Sequence, residues 1–353
     1  MTRLLHILTL LLATAGTAQA GQVDNLYQAD VAAEGGAERW QQQAVVQVLA
    51  RVSGQSDIAS MPAIAAELKQ ASAFIKQFEA VRHVDGNRMR VLLDASKINQ
   101  LLQHNNIAVW GALRPDILIW LVQQEQGERR FIRRAEQPLN AALRQAFAQA
   151  ALPLVLPLYD MDDLQALSET DVWAGFWQQI NQASRRYKSD EVLALTVDRV
   201  SVEGNELYRL TWQRQQDGRT LRDEVTAADE PALMQAFATA LAAQLAQQYA
   251  SVMLAEHNQA ELLLQVNQLD TLTDLVQVQK LLQQIVGISD VTITRYEQAA
   301  AQFRLRSAIS ADSLLNALRF NPRLRLQGET ADPAIALDVS QQPVLASFSY
   351  NRF

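Results

Sequence analysis

The chain contains no cysteine in 353 residues. That excludes disulfide bonds, thiolate metal sites and a lipid-accepting cysteine behind a leader. Histidine is nearly as scarce: His6, His83, His104 and His257, with no His-x-x-x-His or His-Glu-x-x-His spacing. The usual zinc arrangements are thereby removed. A Gly-x-Ser-x-Gly elbow and a Gly-x-x-x-x-Gly-Lys-Ser/Thr loop are also missing, and with them the signatures of a serine hydrolase and a nucleotide-binding loop. No metal and no cofactor is expected. Positive charge is short as well, with 31 Lys+Arg against 38 Asp+Glu. That sign argues against nucleic acid and against broad binding to anionic lipid. Beyond residue 20 no apolar run reaches the roughly 18 residues of a membrane-spanning helix, and no low-complexity linker occurs.

What is present begins at the first residue. Met1-Thr2-Arg3 sets one positive charge before an apolar run over 4–13, and Ala18-Gln19-Ala20 precedes Gly21. Basic start, apolar middle and small-x-small end are the parts of a secretory signal peptide, with cleavage expected between Ala20 and Gly21. Removing residues 1–20 leaves 30 basic against 38 acidic side chains, a formal charge of −8. An exported chain without cysteine points to a bacterial periplasm, where the core alone must hold the fold. With 49% of the sequence hydrophobic, two or three domains of ordinary size are within reach.

Apolar periodicity predicts an α+β, multi-domain protein. A first domain, 21–113, combines a short strand at 24–31 with a helix after Gly35-Gly36 whose stripe is Trp40, Ala44, Val45, Val48, Leu49 and Val52. A second helix from Met61-Pro62 carries Ile64, Leu68, Ala71 and Ile75; a hairpin turns at Asp85-Gly86, and a last helix holds Ile98, Leu101 and Leu102. A middle domain, 114–255, reads as an α/β sandwich. It has apolar strands at 117–122 and 153–158, and an antiparallel meander over 191–200, 206–214 and 220–225. Its helices start at Pro138, at Thr170 as N-cap, and at Pro231. The order β-α-β-β-α-β over about 261–327 predicts a ferredoxin-like domain within 256–330. The tail, 331–353, reads as disordered or as a strand added to a sheet edge.

Three stretches carry a family resemblance. Val23-Asp24-Asn25-Leu26-Tyr27-Gln28-Ala29, Val48-Leu49-Ala50-Arg51-Val52-Ser53-Gly54 and Leu154-Val155-Leu156-Pro157-Leu158-Tyr159-Asp160 resemble a proteobacterial family labelled domain of unknown function two thousand and sixty-six. Trp173, Ala183-Ser184-Arg185-Arg186-Tyr187 and Val192 extend the likeness, which would cover most of the mature chain. It implies a periplasmic or envelope protein of gammaproteobacterial type and names no catalytic residue. The middle domain is similar, at fold level alone, to α/β domains of envelope assembly factors such as the curli secretion protein, and shared fold does not carry function.

Three clusters invite chemistry or binding. Asp160-Met161-Asp162-Asp163 follows the strand at 153–158. A strand ending in Asp-x-Asp is how some phosphatases present a nucleophile and a general acid beside a metal-bound phosphate, and the same carboxylates can cap the next helix. Trp173, Phe176 and Trp177 fall at helical spacing and can stack on a glycan or a partner, or simply cover the sheet. Arg185-Arg186-Tyr187 is a basic patch able to receive an acidic partner or to close a helix C-terminus. With no complete catalytic set, the sequence points to an exported, non-enzymatic binding factor of cell-envelope assembly with an envelope protein partner. A metal-assisted phosphatase or other hydrolase using Asp160 and Asp162, and a glycan binder using Trp173 and Trp177, are the alternatives.

Overall fold

A computed structural model of the chain describes residues 23–83, 86–255, 258–329 and 344–352. The expected signal peptide and the residues expected at its cleavage, Ala18, Ala20 and Gly21, lie outside the described residues, as do His257 and residues 330–343. The chain is α+β, and its described residues build three sheets.

The first sheet holds β1 (Gln28–Ala32), β2 (Ile75–His83) and β3 (Gly86–Leu93) in the order β1-β3-β2, all antiparallel. Helix α1 (Ala37–Ser53) buries the expected apolar stripe against it and stops where Gly54 turns left-handed at φ 72°. A Cβ on Gly54 would fall 2.1 Å from the Ala246 Cβ, so both the turn and the close approach require glycine. The first strand starts later than its composition suggests. Residues 24–27 form a turn instead, with the Gln28 N–H donating to the Asn25 carbonyl. The helix expected from Pro62 is short: α2 (Pro62–Glu67) gives way to a 3₁₀ stretch (Leu68–Phe74), Gln70 leaves helical geometry, and Ile75 opens β2. Helix α3 (Ala95–His104) starts from an Asp94 cap.

The second sheet runs β5-β4-β7-β8-β9, with β4 (Ile117–Glu125), β5 (Glu128–Phe131), β7 (Glu191–Val202), β8 (Asn205–Gln216) and β9 (Arg219–Ala227). β4 and β7 pair in parallel, and the rest of this order is antiparallel. Helices α4 (Pro138–Ala150) and α8 (Glu230–Tyr249) cover one face through Leu143, Phe147, Leu233 and Phe237. Three short helices, α5 (Met161–Ala166), α6 (Glu169–Ala174) and α7 (Trp177–Ser184), cover the other through Val172, Trp177 and Ile180. Coverage on both faces explains why β4 is apolar without alternation from Ile117 to Val122.

Two expectations fail in this unit. The apolar run at 153–158 is only a two-residue strand, β6 (Leu154–Val155), and Leu158 is exposed. Tyr159 at φ 52° then turns the chain into α5. The aromatic helix is two helices: Ser168, not Thr170, caps α6, and Gly175 at φ 70° ends it before α7. The sequence Ser168-Glu169-Thr170-Asp171 forms a capping box, and helical spacing counted across Gly175 misreads the break.

The third sheet takes β10 (Ala260–Asn267), β11 (Ile288–Glu297), β12 (Ala300–Ser307), β13 (Leu324–Glu329) and β14 (Val344–Tyr350), in the order β11-β12-β10-β14-β13. Helices α9 (Leu272–Gln283) and α10 (Ala311–Arg319) bury Val278, Leu282, Leu314 and Leu318 with Phe303 and Phe348. The tail is therefore neither disordered nor an edge strand over 344–350. β14 lies inside the sheet, parallel to β10 and antiparallel to β13. Its alternation of Ala346, Phe348 and Tyr350 buries one face, and Arg352 fastens its end to Asp270 and Asp274. The cores of the first and third sheets form one continuous apolar cluster.

Candidate functional site

The fold brings the two charged clusters singled out in the sequence together, and against each other. Asp160 caps α5, accepting from the Asp163 N–H at 3.1 Å. Arg186, just past α7, donates to both Asp160 oxygens at 2.8 and 2.9 Å and to Asp163 Oδ1 at 3.1 Å. Asp163 is fully buried and also accepts from the Tyr159 N–H and the Tyr187 hydroxyl. The Arg186 guanidinium holds the Asp160 carboxyl below its ordinary value. Asp162 stands aside, exposed and 3.9 Å from Arg186, and Arg185 points to solvent. A nucleophile needs a free oxygen lone pair facing substrate, and a metal needs several converging donors. Both Asp160 oxygens are occupied by one guanidinium, and among the described residues no metal-holding group of carboxylates or histidines occurs.

Trp173, Phe176 and Trp177 do not make one face. Trp177 is buried in the core, Trp173 is half-buried beneath the Arg129 guanidinium at 4.6 Å, and Phe176 points outward at the helix break. Gly175 between them rotates the second pair away from the first.

Two arginines without a carboxylate in hydrogen-bonding range hold the units together. Arg114 is wholly buried, lies 4.0 Å over the Trp110 ring, and donates to five carbonyls: Arg51, Trp110, Gly111, Ala150 and Ala151. Arg51 donates to the carbonyls of Asn25, Leu26, Gln28 and Gln149. Several of these acceptors end α1 and α4, where unpaired carbonyls and the helix dipole attract a cation. Burial pulls both guanidinium groups below their ordinary value, Arg114 further because Arg51 stands beside it. The pair ties the first sheet, the connector after α3 and the middle unit into one junction. Sequence reading missed them. Arg51 carried a signal, a charge on the Ala44–Val48 apolar stripe, whereas Arg114 carried none.

Around this junction opens a cleft of about 580 Å³. The first unit supplies Tyr27, Lys76 and Leu92, the connector supplies residues 109–113, and Tyr249 and Ser251 come from the end of α8. The third unit supplies Ile285, Val286, Ser313, Ala317 and Phe320. Its walls are pinned by backbone: Val109 and Ser251 exchange hydrogen bonds at 2.9 and 3.0 Å, and the Val23 N–H donates to the Ala112 carbonyl at 2.9 Å. The Tyr249 ring meets Phe320 edge-on at 5.0 Å while its hydroxyl donates to Glu191 at 3.1 Å. The Tyr27 hydroxyl donates to Asn99 at 2.8 Å, and burial pushes it up to about 12. Asp94, at the rim, is spent on capping α3. No histidine is found among the described lining residues. The cleft therefore sets apolar surface and fixed polar groups side by side, as ligand-binding clefts do.

A family model described as a domain of unknown function (DUF8605) matches residues 20–111, which takes in the first sheet, α1 to α3 and part of the cleft wall. No curated protein matches the chain. The resemblance to domain of unknown function two thousand and sixty-six is thereby overturned: the match is to a different family and ends before the stretches at 154–192. The physical reason lies in what those patterns encode. Val48, Leu49 and Val52 are buried helix positions and Ser53-Gly54 a helix stop, features that packing demands of many unrelated chains.

Proposed function

We propose that the protein is exported to the periplasm and works there as a non-enzymatic binding protein, an accessory factor in cell-envelope assembly, with the junction cleft as its binding site. The observation that supports this most is the cleft itself. Three units that the arginine pair and a shared core hold in register wall it, so it is pre-formed rather than assembled on binding. Export rests on the leader at 1–20, with its cut after Ala20. In this account the middle unit is an α/β sandwich and the third a ferredoxin-like layer widened by one strand.

A hydrolase acting through Asp160 and Asp162 has less support, because Arg186 occupies the nucleophile. Glycan binding through Trp173 and Trp177 suffers from the burial of Trp177. Two experiments test the proposal. Mass spectrometry of the chain from the periplasmic fraction should give a mature N-terminus at Gly21; an intact leader in the cytosol would contradict export. Gly111→Phe projects a ring toward Val286, which lies 3.4 Å from a Cβ at that position, and fills the cleft. The folded variant should lose its envelope partner, and full retention would move the binding site elsewhere.

A further inference from the structure

The middle unit holds a third buried arginine, and it is treated unlike the other two. Arg214 sits at the end of β8 beneath the last turns of α8 and is 4% exposed. Its nearest carboxylate, Glu191, stands 3.7 Å away, outside hydrogen-bonding range, and the other Glu191 oxygen already accepts from Tyr249. The Nε and Nη1 groups of Arg214 make no hydrogen bond; Nη1 has only the longer ion pair with Glu191. Arg114 and Arg51 take five and four carbonyls under similar burial. A buried guanidinium with two nitrogens short of a hydrogen bond, beside two others that are fully bonded, is a costly feature.

Beside it lies a separate cavity of about 500 Å³, walled by Gln216, Arg222, Asp223, Gln244, Gln247 and Gln248. Asp223 keeps its negative charge while its oxygens accept from Gln244 at 3.0 Å and from the Glu224 N–H at 2.8 Å, and the Arg222 cation on the same wall offsets it. The glutamine amides offer donors and acceptors around the cation, and Arg222 adds a second positive charge. We propose that this cavity binds a carboxylate carried on a hydrogen-bonding body, with the Arg214 fork taking the carboxylate and the glutamines taking the body. A guanidinium presents two parallel N–H donors that match a carboxylate. Glu191 close by disfavours a doubly charged phosphate. In the empty site both unpaired nitrogens are shielded from solvent, so binding requires the guanidinium to turn toward the cavity that its side chain lines. A peptide C-terminus and an acidic sugar both carry this chemistry.

Nitrogen-15 spectra of the full mature chain test the proposal through the Arg214 Nε–H resonance. Three probes are titrated at constant ionic strength: N-acetylalanine, glucuronate and N-acetylalanine amide. One of the two carboxylates should shift that resonance saturably and slow its exchange with water, which also identifies the source, while the amide leaves it unmoved. Arg214→Lys keeps a charge opposite Glu191 but removes the fork, and should weaken binding by at least about tenfold. Should that variant fail to fold, Gln247→Ala, at an exposed wall position, must still lower the affinity. Equal response to acid and amide, no response to any probe, or unchanged affinity in the folded variants would overturn the proposal and assign the space to water.

Discussion

Arg114 and Arg186 are both arginines at crowded positions, and they do opposite jobs. Arg186 meets carboxylates close by in the chain fold, at the protein surface, and fastens short helices to each other. Arg114 meets only carbonyls, gathered from α1, the connector and α4, and fastens whole units. The difference lies in what each acceptor brings. A carboxylate neutralises a cation locally and needs little burial, whereas a set of backbone carbonyls satisfies a guanidinium only if several distant segments converge on it. Convergence of this kind positions the walls of the cleft.

The sharpest way to break the contrast is to remove each cation in turn. Arg114→Met keeps the volume and strands five carbonyls, so it should cost ~3–5 kcal/mol in urea unfolding and open the cleft. Arg186→Met should cost clearly less and leave the cleft intact. Equal losses would erase the distinction. Next in size is Gly54→Ala. The added methyl meets Ala246 at 2.1 Å at a left-handed position, and α1 should move off α8 at ~1–3 kcal/mol. A neutral result would mean that the two helices are free to separate.

A smaller effect is expected at the surface knot. Asp160→Asn keeps an oxygen for the α5 cap but loses charge toward Arg186, so the melting temperature should fall modestly, with no change in any phosphate-ester turnover. Loss of a measurable turnover would instead revive the hydrolase. The smallest effect concerns pH. The Arg352 guanidinium, helped by Thr271, holds Asp274 down at about 2, against an unfolded value near 3.9. This stabilisation is complete above the unfolded value and is lost as pH falls through the folded one. Arg352→Gln should therefore lower stability at pH 6, and the gap to the parent should shrink as pH drops from about 4 toward 2.

Much of the fold is legible in the sequence because local patterns speak for it. The stripe from Trp40 to Val52, the antiparallel meander after residue 190 and the β-α-β-β-α-β order from Leu262 onward all fall where periodicity sets them. What is not legible depends on distance. Nothing in Val344–Tyr350 says that it enters between β10 and β13 rather than at an edge, because alternation gives a strand its faces but not its neighbours. Nothing in Arg114 announces five carbonyls. The pairing of Asp160 with Arg186 was half visible: both clusters stood out, yet each offered its own chemistry until the fold brought them together.

The most direct test of the account is photo-crosslinking in cells from two positions, Leu92 in the cleft and Phe176 on the outer helix break, both exposed. A binding protein that works through the junction should capture one reproducible envelope protein from position 92 and not from 176. Capture from 176 alone, or none from a folded protein at 92, would contradict it.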